Sequence, residues 1–255
     1  MLVQPMITQL SALKRKGMAQ ALHHQMQSRD LQQLSFEDRL GMLIEQEHTE
    51  RASYRMAPRL RWAKLMQSAC LEDIDTTTVR GLQADQWGQL IDLRWVAQHL
   101  NVLICGPTGV GKSYLASALA HAACRADLSV RCYRLPRLID ELVRVTALHK
   151  RAAFLRQIAK VELLIIDDFG LTPMTDTTVR DLLEILEDRY DRQSTMITSQ
   201  LPIEQWHHYL GDKTVADAIL DRLVHNAYKL NLKGEFMRKS KALNRAKADH
   251  KATNR

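Results

Sequence analysis

The sequence Asn101–Ser113, NVLICGPTGVGKS, is an apolar run that leads into a glycine-rich loop, and the Ala-rich segment YLASALAHAA follows it. The loop has the spacing G-x-x-x-x-G-K-S, and a strand before it and a helix after it are the context that a phosphate-binding Walker A loop requires. Its glycines let successive backbone N–H groups turn inward on a phosphate, and the helix N-terminus adds partial positive charge. This stretch therefore predicts a nucleoside triphosphate site in an α/β protein.

Two side chains of the loop have roles that follow from their chemistry. We expect Lys112 to reach the β- and γ-phosphates of ATP and the Ser113 hydroxyl to ligate Mg²⁺. The residues predicted to bind the nucleotide are contiguous: Gly106, Pro107, Thr108, Gly109, Val110, Gly111, Lys112, Ser113 and Tyr114.

A second motif, VELLIIDDFG, runs from Val161 to Gly170 and ends an apolar strand in two carboxylates. Asp167 at the strand tip is expected to hold the magnesium shell, as a Walker B acid does. Asp168 stands one residue later, where related P-loop hydrolases place the group that polarises the attacking water. The alternative is that paired acids merely end a strand.

The segment Ser194–Gln200, STMITSQ, is a further β-branched strand with a polar end. We expect it to lie between the Walker A and Walker B strands of the sheet. Its tip, Ser199 or Gln200, would then orient the water against the γ-phosphate.

Beyond Leu100 the sequence alternates apolar runs with amphipathic helical stretches, which is typical of a parallel sheet covered on both faces. The expected strands are 102–105, 130–133, 163–167, 195–198 and 228–232. The expected helices begin near Lys112, Leu135, Thr177 and Pro202.

The N-terminal part has a different texture. From Ile7 to about Lys64 apolar residues recur at helical spacing, and Ser35 with Asp38 three residues later predicts a helix start. We expect a small all-helical domain over residues 1–70, for interaction with a partner or DNA, and an ATPase domain over 71–255 with a basic tail. Near its end, Tyr54 and Trp62 lie among basic residues, a pattern that fits either a nucleic-acid grip or an ordinary solvated helix face.

Composition sets further bounds. The 255 residues carry a net charge of +7, which favours a polyanionic partner such as DNA, although a basic surface alone gives the same value. The four cysteines show no metal-ligand spacing and are expected to be reduced core thiols. The N-terminal residues lack an apolar signal region and no later run spans a membrane, so we expect a cytoplasmic protein.

Taken in order, these motifs resemble those of the IstB/DnaC branch of AAA+ ATPases, and more closely the IstB-like helpers encoded with insertion-sequence transposases. The specific part is TSQLPIEQWHHYLGD followed by AILDRLVHNAYKLNLKGEFMRK. The resemblance implies an AAA+ core with a central parallel sheet flanked by helices. It also implies that Arg222 is an arginine finger acting on a neighbouring subunit's ATP, and that Arg238 is a sensor of the γ-phosphate. For either arginine considered alone, the alternative is an ordinary surface salt bridge. Phe236 stands where the family usually has a small residue, which bears on the packing around Arg238.

The family carries an extra helical element between its second and third strands that touches DNA. The corresponding interval here is an amphipathic basic stretch, and such helices bind phosphates without reading sequence. The same pattern is also common on plain solvated helix faces. Its candidate DNA-binding residues are Arg137, Arg144, Lys150, Arg151 and Arg156.

The resemblance therefore implies a Mg-ATP-dependent ATPase that forms a homo-oligomer on duplex DNA and assists a cognate transposase. Two other functions share these motifs. One is a replicative helicase loader, which differs in what its N-terminal module holds. The other is a nucleotide-gated DNA scaffold whose turnover is negligible.

Overall fold

The parallel sheet expected from the sequence is present. In the computed structural model, which describes residues 3–74 and 81–234, five parallel strands form one sheet in the order β2-β3-β4-β1-β5. The strand of Ser194 lies between those of Asn101 and Leu163, as predicted. The strands are β1 (Asn101–Cys105), β2 (Val130–Arg134), β3 (Leu163–Phe169), β4 (Ser194–Ser199) and β5 (Ala227–Asn231).

Helices connect and precede the strands. Those before the sheet are α1 (Val3–Ala12), α2 (Lys16–Gln27), α3 (Arg29–Gln32), α4 (Phe36–Ala63), α5 (Ala84–Ile91) and α6 (Arg94–Ala97). Those that follow are α7 (Lys112–Arg125), α8 (Leu135–Ala147), α9 (Arg151–Ala159), α10 (Asp176–Arg189), α11 (Trp206–Leu210) and α12 (Lys213–Val224). Short 3₁₀ turns occur at Leu71–Asp73 and Ile203–Gln205. Because the second turn follows Pro202, the α-helix expected to begin near Pro202 begins at Trp206 instead.

Successive apolar residues of each strand point to opposite faces of the sheet, and each face packs against its own hydrophobic core. Helices α5, α6 and α7 cover one face with the first core, which includes Trp95 and Leu119. Helices α8 to α12 cover the other face, where Trp206 packs its ring 4.6 Å from that of Phe169. Strands β1 and β4 are buried along their whole length, as expected for the centre of a doubly covered parallel sheet.

By their contacts, the described residues fall into two compact units, the first ending at residue 59 and the second beginning at residue 60. The first is helical, and Ser35 Oγ accepts a hydrogen bond from the Asp38 backbone N–H at 3.1 Å, which confirms the predicted helix start. The functional boundary at residue 70 stays a prediction.

None of the helices within 3–74 and 81–234 combines the length and apolar character that crossing a bilayer demands.

Trp62, one of the two aromatic residues considered for nucleic-acid binding, belongs to the second unit and has a cationic partner there. The Arg131 guanidinium lies 4.5 Å from the centroid of the Trp62 ring and 4.9 Å from that of Tyr133. Arg131 is itself buried, so this stack is an internal contact of the second unit.

Candidate active site

The glycine-rich loop lies at the carboxyl end of β1 and requires its glycines. Gly109 and Gly111 have φ values of +85° and +99°, and Gly106 has a φ of +150°. A Cβ atom on Gly106 would lie 2.5 Å from the backbone oxygen of Leu232, which follows β5. The loop thus passes too close to its neighbour for any side chain at this position.

Lys112 begins α7 and points back into the loop. Its Nζ donates hydrogen bonds to the backbone oxygens of Gly106 at 2.7 Å and Pro107 at 2.9 Å. Burial lowers the pKa of Lys112, and the negative charges of Asp167 and Asp168 oppose that shift. The ammonium is therefore held inside the loop whose backbone is expected to surround the phosphates.

Ser113 and Asp167 come together as the sequence predicted. Ser113 Oγ donates to Asp167 Oδ1 at 2.8 Å, and the Thr198 hydroxyl of β4 donates to the same oxygen. Asp167 is almost wholly buried. A hydroxyl and a carboxylate in contact are the hard oxygen ligands that Mg²⁺ prefers, so the residues present fit the metal. Thr198 was missed by the sequence reasoning, although it stands one residue before the pair that was considered.

Asp168 adopts a left-handed backbone conformation, with a φ of +61°. The pairing of β3 with β4 shifts register between Ile166 and Phe169, so Asp168 lies in a local bulge that turns its side chain away from the ladder. Its pKa is raised by burial and by the charge of Asp167, and Arg134, whose Nε lies 3.8 Å from Asp168 Oδ2, opposes the shift.

The tip of β4 distinguishes between the two expected polar residues. Gln200 Oε1 accepts a hydrogen bond from Thr108 Oγ1 at 2.7 Å, which places Gln200 against the Walker A loop. Ser199 is fully buried and its hydroxyl donates to the Phe169 backbone oxygen at 2.7 Å. Gln200 is therefore the residue of this pair that borders the site.

Arg222 lies in the last turn of α12, far from the loop of its own chain. The Asn101 side chain, at the amino end of β1, donates to the Arg222 backbone oxygen at 2.9 Å, whereas the loop begins at the carboxyl end of that strand. The strand is about 13 Å long at the usual rise per residue. The Arg222 guanidinium pairs with Glu187 at 2.7 Å. The other expected arginine, Arg238, lies outside the described residues.

The five basic residues of the candidate DNA-binding element lie on or beside α8 and α9. Three of them pair with acids of the chain: Arg137 with Asp140 at 3.5 Å, Arg144 with Glu141 at 2.6 Å, and Arg151 with Asp181 at 2.7 Å and with Glu184. The Arg151 pairs join α9 to α10, so this side chain has a structural role of its own. Lys150 and Arg156 are exposed.

Known proteins match this chain along most of its length. Residues 8–245 match the family of IstB-like ATP binding proteins. A putative insertion sequence ATP-binding protein of Sinorhizobium fredii is 46% identical over 94% of this chain and 98% of its own length. The putative ATP-binding protein of insertion sequence IS21 from Pseudomonas aeruginosa is 32% identical over 90% of this chain and 86% of its own.

Solved structures show the same architecture. The crystal structure of DnaI superposes with a TM-score of 0.55 at 26% identity, covering 65% of this chain and 91% of that one. The initiator DnaA bound to AMPPCP and single-stranded DNA gives a TM-score of 0.52 at 16% identity, covering 67% and 51%, a likeness of fold alone. The AAA+ fold predicted from the sequence is confirmed, and the chain belongs to the family of IstB-like ATP binding proteins.

Proposed function

We propose that this protein hydrolyses ATP with Mg²⁺, assembles on duplex DNA when ATP is bound, and there assists the transposase of an insertion sequence. The observation that carries the proposal is the meeting of four side chains at one edge of the sheet: Lys112, Ser113, Asp167 and Asp168. The names of the relatives, as insertion sequence ATP-binding proteins, supply the biological setting.

In the proposed reaction the loop backbone and Lys112 bind the phosphates, while Ser113 and Asp167 hold the metal. Mg²⁺ held there would supply positive charge next to the phosphates. Asp168 accepts a hydrogen bond from the attacking water and takes up its proton as the water oxygen bonds to the γ-phosphorus. The bond between the γ-phosphorus and the β–γ bridging oxygen breaks in the same reaction, and Asp168 then returns the proton to the product phosphate or to solvent. Gln200 borders the same space and orients the water. ADP and inorganic phosphate are the products.

Arg222 completes the site of a neighbouring subunit. It lies at the amino edge of the sheet, whereas the loop lies at the carboxyl edge, so the guanidinium is remote from the phosphates of its own chain. A head-to-tail homo-oligomer brings the two edges together and lets Arg222 stabilise the charge on the transferred phosphoryl group. Arg238 is proposed to act as the sensor of the γ-phosphate.

DNA is proposed to bind through its phosphates. The net charge of +7 favours a polyanion, and Lys150 and Arg156 present exposed cations beside α9. Arg137 and Arg144 are also exposed, and each would exchange an intrahelical acid for a phosphate. Contacts of this kind position the protein without reading base sequence.

Two variants test the nucleotide switch. Lys112→Ala is expected to abolish ATP-dependent binding of a labelled duplex, measured by fluorescence anisotropy. Asp168→Asn is expected to retain that binding and lose phosphate release. Unchanged turnover in Asp168→Asn would contradict the proposal that Asp168 activates the attacking water. ATP-dependent DNA binding by Lys112→Ala would contradict the proposal that ATP binding at this loop controls DNA binding.

One second candidate is a replicative helicase loader, because it would share the same ATPase core and differ in what its N-terminal module holds. The two functions differ in the protein that the full chain captures. A cognate insertion-sequence transposase is expected to co-purify with the ATP-bound protein, and the replicative helicase is not. Capture of the helicase alone would favour the second candidate.

A scaffold without significant turnover is distinguished by kinetics. We expect duplex DNA to stimulate phosphate release, because assembly on DNA brings Arg222 to the neighbouring site. Release that is equally slow with and without DNA would favour the scaffold.

A further inference from the structure

Asn101 is a buried polar residue at the start of β1 whose side chain joins three elements. Its Nδ2 donates to the backbone oxygen of Arg222 at 2.9 Å and to that of Leu223 at 3.4 Å. Its Oδ1 accepts from the backbone N–H of Thr195 in β4 at 2.9 Å. The side chain is thus fixed at both ends, with only 7% of the residue exposed.

The carbonyls that Asn101 binds belong to the last turn of α12. The last four carbonyls of a helix have no partner inside the helix, and a buried helix end needs donors from elsewhere. Asn101 supplies such a donor to the residue that carries the proposed finger. The main chain at Arg222 is thereby anchored to the two central strands of the sheet.

The guanidinium of Arg222 is held separately. Its Nη2 lies 2.7 Å from Glu187 Oε1 on α10, and its Nη1 donates to the Ala218 backbone oxygen at 2.8 Å. These contacts are partly exposed, and ion pairs of this kind contribute little to stability. The side chain is therefore readily released, whereas its backbone stays fixed by the buried amide.

From this arrangement we propose that Asn101 is a positioning residue for catalysis in the neighbouring subunit, acting through Arg222. The inference rests on the proposed function of Arg222 as a finger in trans. A finger is effective only when its guanidinium lies within about 0.5 Å of its productive position beside the transferred phosphoryl group. A displacement of about 1 Å lowers the rate about 100-fold. Asn101 fixes the backbone of Arg222, from which the guanidinium extends.

Asn101→Ala is the first test, with full-length protein on duplex DNA. We expect kcat for phosphate release to fall about 10- to 100-fold. The affinity for a fluorescent ATP analogue is expected to be unchanged, because the loop lies at the other end of β1. Ser194→Ala is the matched control: it removes a buried hydroxyl at the same edge of the sheet, whose bonds go to the Trp95 and Val96 backbone oxygens, and it is expected to keep kcat.

A mixing experiment separates positioning from general damage. Asp168→Asn subunits retain Arg222 and donate a normal finger, whereas Asn101→Ala subunits retain an intact loop and Asp168. Mixed oligomers are therefore expected to release phosphate faster than the sum of the two variants measured apart. No recovery on mixing, or an equal loss in Ser194→Ala, would overturn the inference.

Two further variants keep the outcomes distinct. Asn101→Asp keeps the acceptor for Thr195 but loses the amide donor to Arg222, so it is expected to show the same loss of kcat if Asn101→Ala fails to fold. Arg222→Ala with normal turnover would overturn the proposed finger itself. Arg222→Ala without turnover, together with a normal Asn101→Ala and Asn101→Asp, would overturn the positioning role alone.

Discussion

The hydroxyl of Thr198 donates a hydrogen bond to Asp167 Oδ1, the same oxygen that accepts from the Ser113 hydroxyl at 2.8 Å. Thr198 lies on β4 and Asp167 on β3, so the contact spans two central strands where both end. It orients a buried carboxylate that, together with Ser113, would hold the metal. Outer hydrogen bonds of this kind fix the direction of a metal ligand and are often as important as the ligand itself.

Thr198→Val keeps the shape of the side chain and removes this donor. We expect the Mg²⁺ concentration for half-maximal phosphate release to rise about 10- to 100-fold, because Asp167 loses the bond that orients it. The measurement is a Mg²⁺ titration at saturating ATP. Thr198→Ser restores the hydroxyl and is expected to restore the wild-type midpoint. An unchanged midpoint in Thr198→Val would show that Thr198 does not set the ligand's direction.

Much of the site was predictable because its motifs are local. The loop from Gly106 to Ser113 and the pair Asp167–Asp168 each require one strand and the turn that follows it, and the sequence contains both in full. Parallel strands end at the same edge of the sheet, so the meeting of Ser113 and Asp167 followed from the fold alone.

The role of Thr198 was not predictable in the same way. Which residue of STMITSQ reaches Asp167 depends on the register of β3 against β4, and that register shifts between Ile166 and Phe169. The shift places Ser199 opposite Phe169 and leaves Thr198 facing the carboxylate. A bulge of this kind depends on the geometry of both strands, and the sequence of either strand alone does not reveal it. Asn101 was missed for a related reason, since its partner is 121 residues away.

Gly106→Ala tests the close approach of the loop to the chain after β5. A methyl group here would lie 2.5 Å from the Leu232 backbone oxygen, and the φ of +150° already disfavours a side chain. We expect loss of ATP binding, measured with a fluorescent analogue, together with a lower melting temperature. Gly88→Ala, in helix α5 with no atom within 4 Å of the added carbon, is expected to leave both unchanged or raise stability by up to about 1 kcal/mol. Normal ATP affinity in Gly106→Ala would mean that the loop can move away from Leu232.

Arg189 is a buried cation that the charge pattern of the sequence did not reveal. Its guanidinium donates to the Ile158 and Val161 backbone oxygens, at 2.7 Å each, and to the Ser194 backbone oxygen. Arg189→Met would leave these carbonyls without their donor, and we expect the free energy of unfolding to fall by about 3 to 5 kcal/mol in urea titrations. Arg192→Met, at an exposed position after the same helix, is expected to change it by less than about 0.5 kcal/mol. Similar values for the two variants would contradict a structural role for Arg189.

The thiol of Cys105 is predicted to be inert although it borders the glycine-rich loop. Burial raises the pKa of Cys105 to about 11, so the neutral thiol predominates below that pH. At pH 8 the thiolate, the form that reacts with iodoacetamide, is therefore the minor species. We expect mass spectrometry to find the half-buried Cys70 alkylated well before Cys105. As long as the pH stays below the pKa of Cys105, the alkylation rate of Cys105 is expected to increase about tenfold for each unit by which the pH is raised. Equal labelling of the two at pH 8 would contradict the buried placement of Cys105.

Gly17→Ala tests the packing of the first unit. The added carbon would lie 2.6 Å from both the Gln46 backbone oxygen and the Glu47 Cα of α4, so α2 must move away. Overpacking of this kind costs about 1 to 3 kcal/mol, more than the roughly 1 kcal/mol that Ala gains over Gly in a helix. We expect faster amide hydrogen exchange in α2 and α4, with unchanged exchange in β1. Gly41→Ala, on α4 with no atom within 4 Å, is expected to slow exchange in α4 instead. Unaltered exchange in α2 of Gly17→Ala would mean that the two helices do not pack at this glycine in solution.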